Sequence, residues 1–143
     1  MIHFENSFSY TRGVNRATDK ALPFIPAAVL RNEIRLEPEF KGGLKSTYFS
    51  IAFDNVFKQN RVDNFETPTG AYSLVNLAMG TTFMLNKQPL RINVSANNLF
   101  NKAYYDHLSR FKPGRLDEAD PTAGYYNQGR NISVGLYLPF VFK

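Results

Sequence analysis

The chain has 143 residues, a formal net charge of +5, thirteen Phe, eight Tyr and no Cys. This length suffices for one domain, and a chain without Cys forms no disulfide and has no thiolate chemistry. The Lys and Arg residues are scattered without a run or a helical stripe, which argues against nucleic-acid binding. No apolar segment approaches the roughly 20 residues of a membrane-spanning helix, but strands that alternate apolar and polar residues are not detected by that criterion.

Six segments alternate apolar and polar residues with a period of two, which predicts strands that each have one apolar face. In chain order, the predicted strands cover residues 2–12, 28–40, 44–58, 71–85, 90–103 and 129–142. The pattern is clearest in the last strand, where Ile132, Val134 and Leu136 share one face. Pro38 fits its strand poorly, because proline has no N–H to donate to a ladder.

The connections between the predicted strands alternate strictly between short and long. Residues 41–43 and 86–89 are short connections, whereas 11–28, 58–71 and 101–129 are long. In a meander of antiparallel strands, all short turns then lie at one end and all long loops at the other, as in outer-membrane barrels. The predicted strands also reach the roughly 9–11 residues that a tilted membrane strand requires.

Charged residues recur on the polar face of the second strand, and they predict a paired, solvated wall facing a lumen or, as an alternative, a ligand-facing surface. They are Arg31, Glu33, Arg35, Glu37 and Glu39. Alternation also occurs in soluble β-sandwiches, so a soluble carbohydrate-binding or adhesin-like module is the alternative function. The long strands, the charged wall and the asymmetric loops favour an all-β, transmembrane antiparallel β-barrel. Six strands are fewer than the roughly 8 of the smallest barrels, so the chain is expected to form only part of one.

Two segments, 92–107 (INVSANNLFNKAYYDH) and 129–140 (GRNISVGLYLPF), resemble the end of TonB-dependent outer-membrane receptors. The resemblance rests on the run from Asn98 to Tyr104 (NLFNKAY), on Gly129-Arg130 before the last strand and on its aromatic end at Phe140. The segments 22–26 (LPFIP) and 70–72 (GAY) fit the same family. In this order and spacing the pieces are strongly specific, and the resemblance covers essentially the whole chain.

The resemblance implies that residues 1–143 are the C-terminal part of a barrel domain, about the last six strands of a 22-stranded barrel in the bacterial outer membrane. It further implies energy-coupled import of a metal chelate of siderophore, haem or cobalamin type, or of a similar ligand. The implied partners are outer-membrane lipid, the rest of the barrel and its plug, the TonB energy-coupling complex and the barrel assembly machinery. The sequence shows no plug, coupling motif or signal peptide, so this chain alone is not expected to transport. Phe140 and Phe142 are the expected assembly signal.

Aromatic residues that bracket the last long loop are the candidate ligand-binding residues, together with one histidine. They are Tyr104, Tyr105, His107, Tyr125 and Tyr126. The tyrosines could stack on a ligand, but the favoured interpretation places them in the aromatic girdle at the membrane interface. His107 is interpreted as an exposed polar residue in a loop without a core of its own.

No other constellation of residues predicts chemistry. His3 and His107 have no nearby third ligand, so no metal site is predicted. No catalytic arrangement of Ser, His and Asp and no phosphate-binding glycine loop is present, which predicts no enzyme activity and no cofactor. The asparagines Asn97, Asn98 and Asn101 are expected to support a tight bend after the fifth strand.

Overall fold

A computed structural model describes residues 1–85, 88–114 and 124–139, and all the regular elements in these ranges are strands. They are β1 (Ile2–Ser9), β2 (Val14–Asn15), β3 (Lys20–Ala21), β4 (Val29–Leu36), β5 (Leu44–Val56), β6 (Tyr72–Leu85), β7 (Gln88–Asn97) and β8 (Asn131–Tyr137). Within the described ranges, no helix is long and apolar enough to cross a membrane.

Six of the strands form one antiparallel sheet in the order β1-β4-β5-β6-β7-β8. Each strand therefore pairs with the next long strand along the chain, which confirms the predicted all-β antiparallel architecture. The long connections, residues 10–28, 57–71 and 98–130, all leave the sheet at one end. They are called the first, second and third loops below.

Several observed strands are shorter than the predicted ones. β4 ends at Leu36 rather than at residue 40, because Pro38 lacks the N–H that a ladder requires. β7 ends at Asn97 rather than at 103, because Asn98 turns the chain with a φ of 50°. β1 ends at Ser9 rather than at 12, and the first loop then forms the unpredicted hairpin β2–β3. The predicted assembly signal at Phe140 and Phe142 lies outside the described residues.

Apolar side chains form continuous rows across one face of the sheet. One row of paired residues runs through all six strands: Phe4, Ile34, Ile51, Leu77, Ala96 and Ile132. The next row consists of Ile2, Leu36, Phe49, Met79, Val94 and Val134. The large members of these rows are exposed; Ile51, in the middle of the sheet, has 46% of its surface accessible. No other part of the described chain covers this apolar face.

The strands of the described residues form one long antiparallel sheet beside the β2–β3 hairpin and not the two packed sheets of the alternative β-sandwich. In a sandwich, a second sheet covers the apolar face and buries its side chains in a shared core. Here the only buried hydrophobic residue among those described is Ala52. Residues such as Ile51 and Leu77 are instead presented outward, as lipid-facing residues are in a membrane barrel.

The opposite face of the sheet is polar, and the predicted pairing is seen for Arg31 and Arg35, whereas Glu37 and Glu39 lie beyond the end of β4. Arg31 bonds Asp54 and Glu33, each at 2.9 Å, and Arg35 bonds Glu37 at 2.7 Å. The Arg35 guanidinium also lies 3.9 Å from the centre of the Tyr48 ring. These pairs form the charged wall that the sequence predicted, on the face that would line a barrel interior.

Gly80 makes room for the Tyr48 ring on this polar face. Tyr48, Gly80 and Asn93 are paired neighbours on β5, β6 and β7. A Cβ at position 80 would collide with the Tyr48 ring and with the Asn93 side-chain oxygen. Without it, the ring lies over β6 and its hydroxyl donates to Asn93 Oδ1 at 3.3 Å.

Candidate functional site

The third loop starts with a turn that is built around Asn98. This residue adopts a φ of 50° and is 4% exposed. Its Oδ1 accepts a hydrogen bond from the Lys102 N–H at 2.8 Å, and its Nδ2 donates to the Lys102 carbonyl at 2.9 Å. Asn98 N–H donates to Asn76 Oδ1 on β6 at 2.9 Å, which fixes the turn to the sheet. The predicted asparagine-supported bend is confirmed.

Side chains of the second loop form hydrogen bonds with backbone groups of the first loop and so attach the two loops to each other. Gln59 is 8% exposed, and its Nε2 donates to the carbonyls of Ile25 and Pro26, each at 3.1 Å. Glu66 Oε1 accepts a hydrogen bond from the Phe24 N–H at 2.9 Å. Because these bonds cross between loops, the loops hold one another in place above the sheet.

The second and third loops are joined by a second set of hydrogen bonds. Thr67 Oγ1 donates to the Pro113 carbonyl at 2.8 Å, and Lys112 Nζ donates to the Thr67 carbonyl at 3.1 Å. Thr69 Oγ1 lies 2.9 Å from His107 Nδ1. The three long loops, in their described parts, therefore form one connected unit, which is called the loop cluster below.

His107 lies at the centre of the loop cluster and is 3% exposed, so its interpretation as an exposed polar residue was wrong. The third loop has a packed interior because its side chains meet those of the second loop, which local sequence does not reveal. His107 Nε2 is buried without a hydrogen-bond partner. The nearest carboxylate oxygen, Glu66 Oε1, lies 3.9 Å from Nε2, and the Glu66 side chain is itself 8% exposed.

The surroundings of His107 disfavour its positive charge. Burial lowers the pKa of His107, the nearby Lys112 ammonium lowers it further, and Glu66 and Asp106 oppose this effect. Burial also lowers the pKa of Lys112, against the opposing effect of Glu66 and Asp106. The imidazole is therefore neutral over a wider range of pH than a solvent-exposed histidine.

A cavity of about 530 Å³, called the tyrosine cavity below, lies between the end of the second loop and the third loop. Its aromatic lining residues are Tyr72, Tyr104, Tyr105 and Tyr126. The Tyr72 and Tyr104 rings are 4.4 Å apart, and the Tyr105 and Tyr126 rings are stacked at 4.5 Å. Burial raises the pKa of Tyr104, and Asp106 adds to the effect, so its hydroxyl stays protonated and able to donate.

The charged residues that line the tyrosine cavity are both lysines, Lys102 and Lys112. Aromatic faces and two ammonium groups together favour a ligand that is planar or glycosidic and that carries negative charge. Among the described residues, no group of three or more His, Cys, Asp or Glu residues could hold a metal ion. The lining thus offers stacking, hydrogen bonding and positive charge, which are means of binding a ligand rather than of ligating a bare metal.

The structure brings three of the five predicted site residues together. Tyr104, Tyr105 and Tyr126 line the tyrosine cavity. Tyr125 does not line it; it is 75% exposed and packs edge-on against Phe111. His107 lies behind the cavity, in the wall of a neighbouring groove of about 400 Å³.

Among the aromatic and charged lining residues, sequence analysis did not name Tyr72, Lys102 and Lys112 as site residues. Tyr72 was placed at the start of a strand, in the segment 70–72 of the family resemblance, and this position lies beside a long loop. The two lysines carry no local signal, because their convergence depends on how the third loop folds back.

This architecture is that of an antiparallel β-barrel wall with long loops at one end. Among solved structures, the chain is similar to the copper transporter OprC, with 20% sequence identity and a TM-score of 0.73. The match covers 94% of this chain and 20% of that transporter, so the chain spans about a fifth of its length. No family model matches the chain, and no curated protein matches it in sequence. The similarity therefore shows the fold.

Proposed function

We propose that this chain is part of a TonB-dependent outer-membrane receptor that imports a metal chelate, or a ligand of similar chemistry. In this proposal, the sheet is the C-terminal segment of a 22-stranded barrel, and the remaining strands pair with β1 and β8. The plug, the energy-coupling complex and the barrel assembly machinery are its partners. The observation that carries the proposal is a barrel-wall fold with a lipid-compatible outer face and a tyrosine-lined cavity among its loops.

The outer face supports the membrane part of the proposal. Rows of exposed aliphatic and aromatic residues cross all six strands, and in water such a face would cause aggregation. The two edge strands, β1 and β8, also have unpaired backbone groups along one side. In lipid such groups must be paired, which further strands of the same barrel would accomplish.

The tyrosine cavity supports the ligand part of the proposal. Siderophore and haem chelates carry planar or aromatic groups and frequently negative charge, which stacked tyrosines and two lysines can bind. The cavity lies at the loop end of the sheet, where a ligand would first meet the receptor from outside the cell. The stacked pair Tyr105–Tyr126 is the proposed ligand contact, and Lys102 supplies charge at its rim.

An immunoblot of outer-membrane fractions tests whether the chain belongs to a larger receptor. An antibody against residues 112–128 should detect a band several times heavier than 16.3 kDa in that fraction. A band near 16.3 kDa in a soluble fraction would contradict both the membrane location and the transport function.

Ligand binding is tested on outer-membrane vesicles that carry the protein, with haem and a ferric tris-catecholate as probes. Tyr105→Ala and Tyr126→Ala each remove half of a stacked pair and should weaken binding about 2- to 12-fold through the lost stacking, since one aromatic contact is worth about 0.5–1.5 kcal/mol beyond the buried area. Tyr125→Ala is the matched control, because its ring does not line the cavity. Equal effects at all three positions, or no binding of either probe, would contradict the proposed ligand site.

A further inference from the structure

The tautomer of His107 follows from its neighbours. Lys112 Nζ lies 3.4 Å from His107 Nδ1, and an ammonium group has only donors. Nδ1 must therefore be the unprotonated nitrogen, which accepts from Lys112 and from Thr69 Oγ1. The proton of the neutral imidazole is then on Nε2, which has no hydrogen-bond partner and faces Glu66 Oε1 at 3.9 Å.

A second proton on His107 sets two positive charges against each other. It would have to bind at Nδ1, where the new N–H would point at the Lys112 ammonium 3.4 Å away. The Thr69 hydroxyl could turn to accept this N–H, so the repulsion acts between His107 and Lys112. We propose that protonation of His107 releases the third loop from the second and so opens the tyrosine cavity. This His107–Thr69–Lys112 contact is called the clasp below.

Three charged groups lie near the clasp, and their combined effect on the charge of His107 determines how the clasp responds to a fall in pH. Lys112 opposes the imidazolium, while Glu66 and Asp106 favour it. Both carboxylates are already used elsewhere: Glu66 accepts from the Phe24 and Asp63 N–H groups, and Asp106 accepts from the Tyr72 hydroxyl and the Leu108 N–H. Neither carboxylate reaches a nitrogen of His107 within hydrogen-bond distance, and together they offset only part of the effect of burial and of Lys112, so the pKa of His107 stays lowered.

The sign of the pH effect follows from the lowered pKa of His107 in the closed state. In the open state, the imidazole meets water and regains a pKa near 6.5, so the open state binds more protons. The clasp is therefore at full strength above about pH 6.5 and weakens as the pH falls below that value. The loop cluster is therefore expected to be closed at neutral pH and to open at acidic pH.

The clasp also forms part of the wall of the tyrosine cavity. Thr69 and Lys112 line the cavity directly, and Thr67, which binds Lys112, lines it too. Separation of the loops would thus remove one side of the cavity. The inference that protons regulate ligand access rests on the function proposed above, whereas the movement of the loops can be measured without any ligand.

The experiment measures the distance between the second and third loops as a function of pH. The chain contains no Cys, so Phe65→Cys and Arg110→Cys provide two unique sites for nitroxide labels, and both side chains are exposed. Double electron–electron resonance in outer-membrane vesicles should give one narrow distance at pH 8. At pH 5 it should give a longer, broader distribution, and the midpoint should lie below about pH 6.5.

Three variants of the same labelled protein test whether the clasp, rather than another group that titrates, causes the change in distance. His107→Asn keeps an uncharged acceptor near the position of Nδ1 and should hold the short distance at both pH values. Lys112→Met removes the opposing charge, so protonation of His107 should separate the loops less and the change in distance between pH 8 and pH 5 should shrink. Lys102→Met removes the other lysine of the cavity and should leave that change as it is in the wild type. An unchanged wild-type distance between pH 8 and pH 5, or pH-dependent opening in His107→Asn, would overturn the proposal. Haem or ferric-catecholate binding tests the proposed function separately.

Discussion

Asn98 should contribute more to stability than any exposed asparagine of the chain, because two effects meet at this residue. Replacement by Ala leaves the Lys102 N–H and carbonyl without their side-chain partners, at about 1 kcal/mol each. Alanine also lacks the local hydrogen bonds that let asparagine adopt a φ of 50°, which adds about 1 kcal/mol. The expected loss of unfolding free energy for Asn98→Ala is thus about 3 kcal/mol.

Asn98→Gly separates the two effects, since glycine adopts a positive φ without strain. The glycine variant should lose about 2 kcal/mol, from the hydrogen bonds alone. Asn97→Ala is the matched control, because this neighbour is exposed and should change stability by less than about 0.5 kcal/mol. Urea unfolding in detergent micelles, followed by circular dichroism, measures all three. Equal losses for Ala and Gly would refute the strain contribution, and a loss below about 0.5 kcal/mol for both would refute the role of the turn.

Three further predictions concern the two faces of the sheet and the loops. Ile51→Arg should destabilise the protein in lipid by about 2–4 kcal/mol, whereas Ser95→Arg on the polar face, where Ser95 pairs with Ala78 and Ser133, should be nearly neutral; similar losses at both sites in urea titrations would exclude the assigned orientation. Gly80→Ala should lower the free energy of unfolding by about 1–3 kcal/mol, because the new Cβ overpacks against the Tyr48 ring. In the double variant with Tyr48→Ala most of this loss should disappear, so strictly additive losses would contradict the proposed contact. Gln59→Ala should accelerate amide exchange in residues 10–28 while leaving β5 protected, because it removes the bonds to Ile25 and Pro26; unchanged exchange in the first loop would show that these bonds do not hold it.

The sheet could be predicted from the sequence because the alternation that defines each strand lies within a few consecutive residues. Apolar residues at every second position, as at Phe49, Ile51 and Phe53, define one face of a strand without knowledge of its partners. The alternation is interrupted at one place, a bulge between Lys45 and Tyr48 in which Ser46 has a φ of 50°. Before the bulge, the residues that share the apolar face are therefore the even-numbered ones, and Leu44 pairs with Phe83. An extra residue of this kind leaves no clear mark in a period-two pattern.

The interior of the loop cluster could not be predicted, because its contacts join residues that are distant in sequence. His107 meets Thr69 across 38 positions, and Lys112 meets Thr67 across 45. Nothing around His107 in the sequence distinguishes a buried imidazole from an exposed one. The tyrosines were recognised as candidates from their type and position, but which of them share a cavity depends on the fold of the third loop.

Site-directed spin labelling of paired positions on β5, β6 and β7 tests most directly whether the sheet is a membrane barrel wall. Single cysteines at Ile51 and Leu77 report on the apolar face, and cysteines at Ser50 and Ser95 on the polar face. In outer-membrane vesicles, the account predicts that labels at Ile51 and Leu77 collide preferentially with dissolved oxygen, which concentrates in lipid. Labels at Ser50 and Ser95 should be protected from lipid, with lower oxygen accessibility. High accessibility of the Ile51 and Leu77 labels to a water-soluble nickel chelate would contradict the assignment of that face to the bilayer.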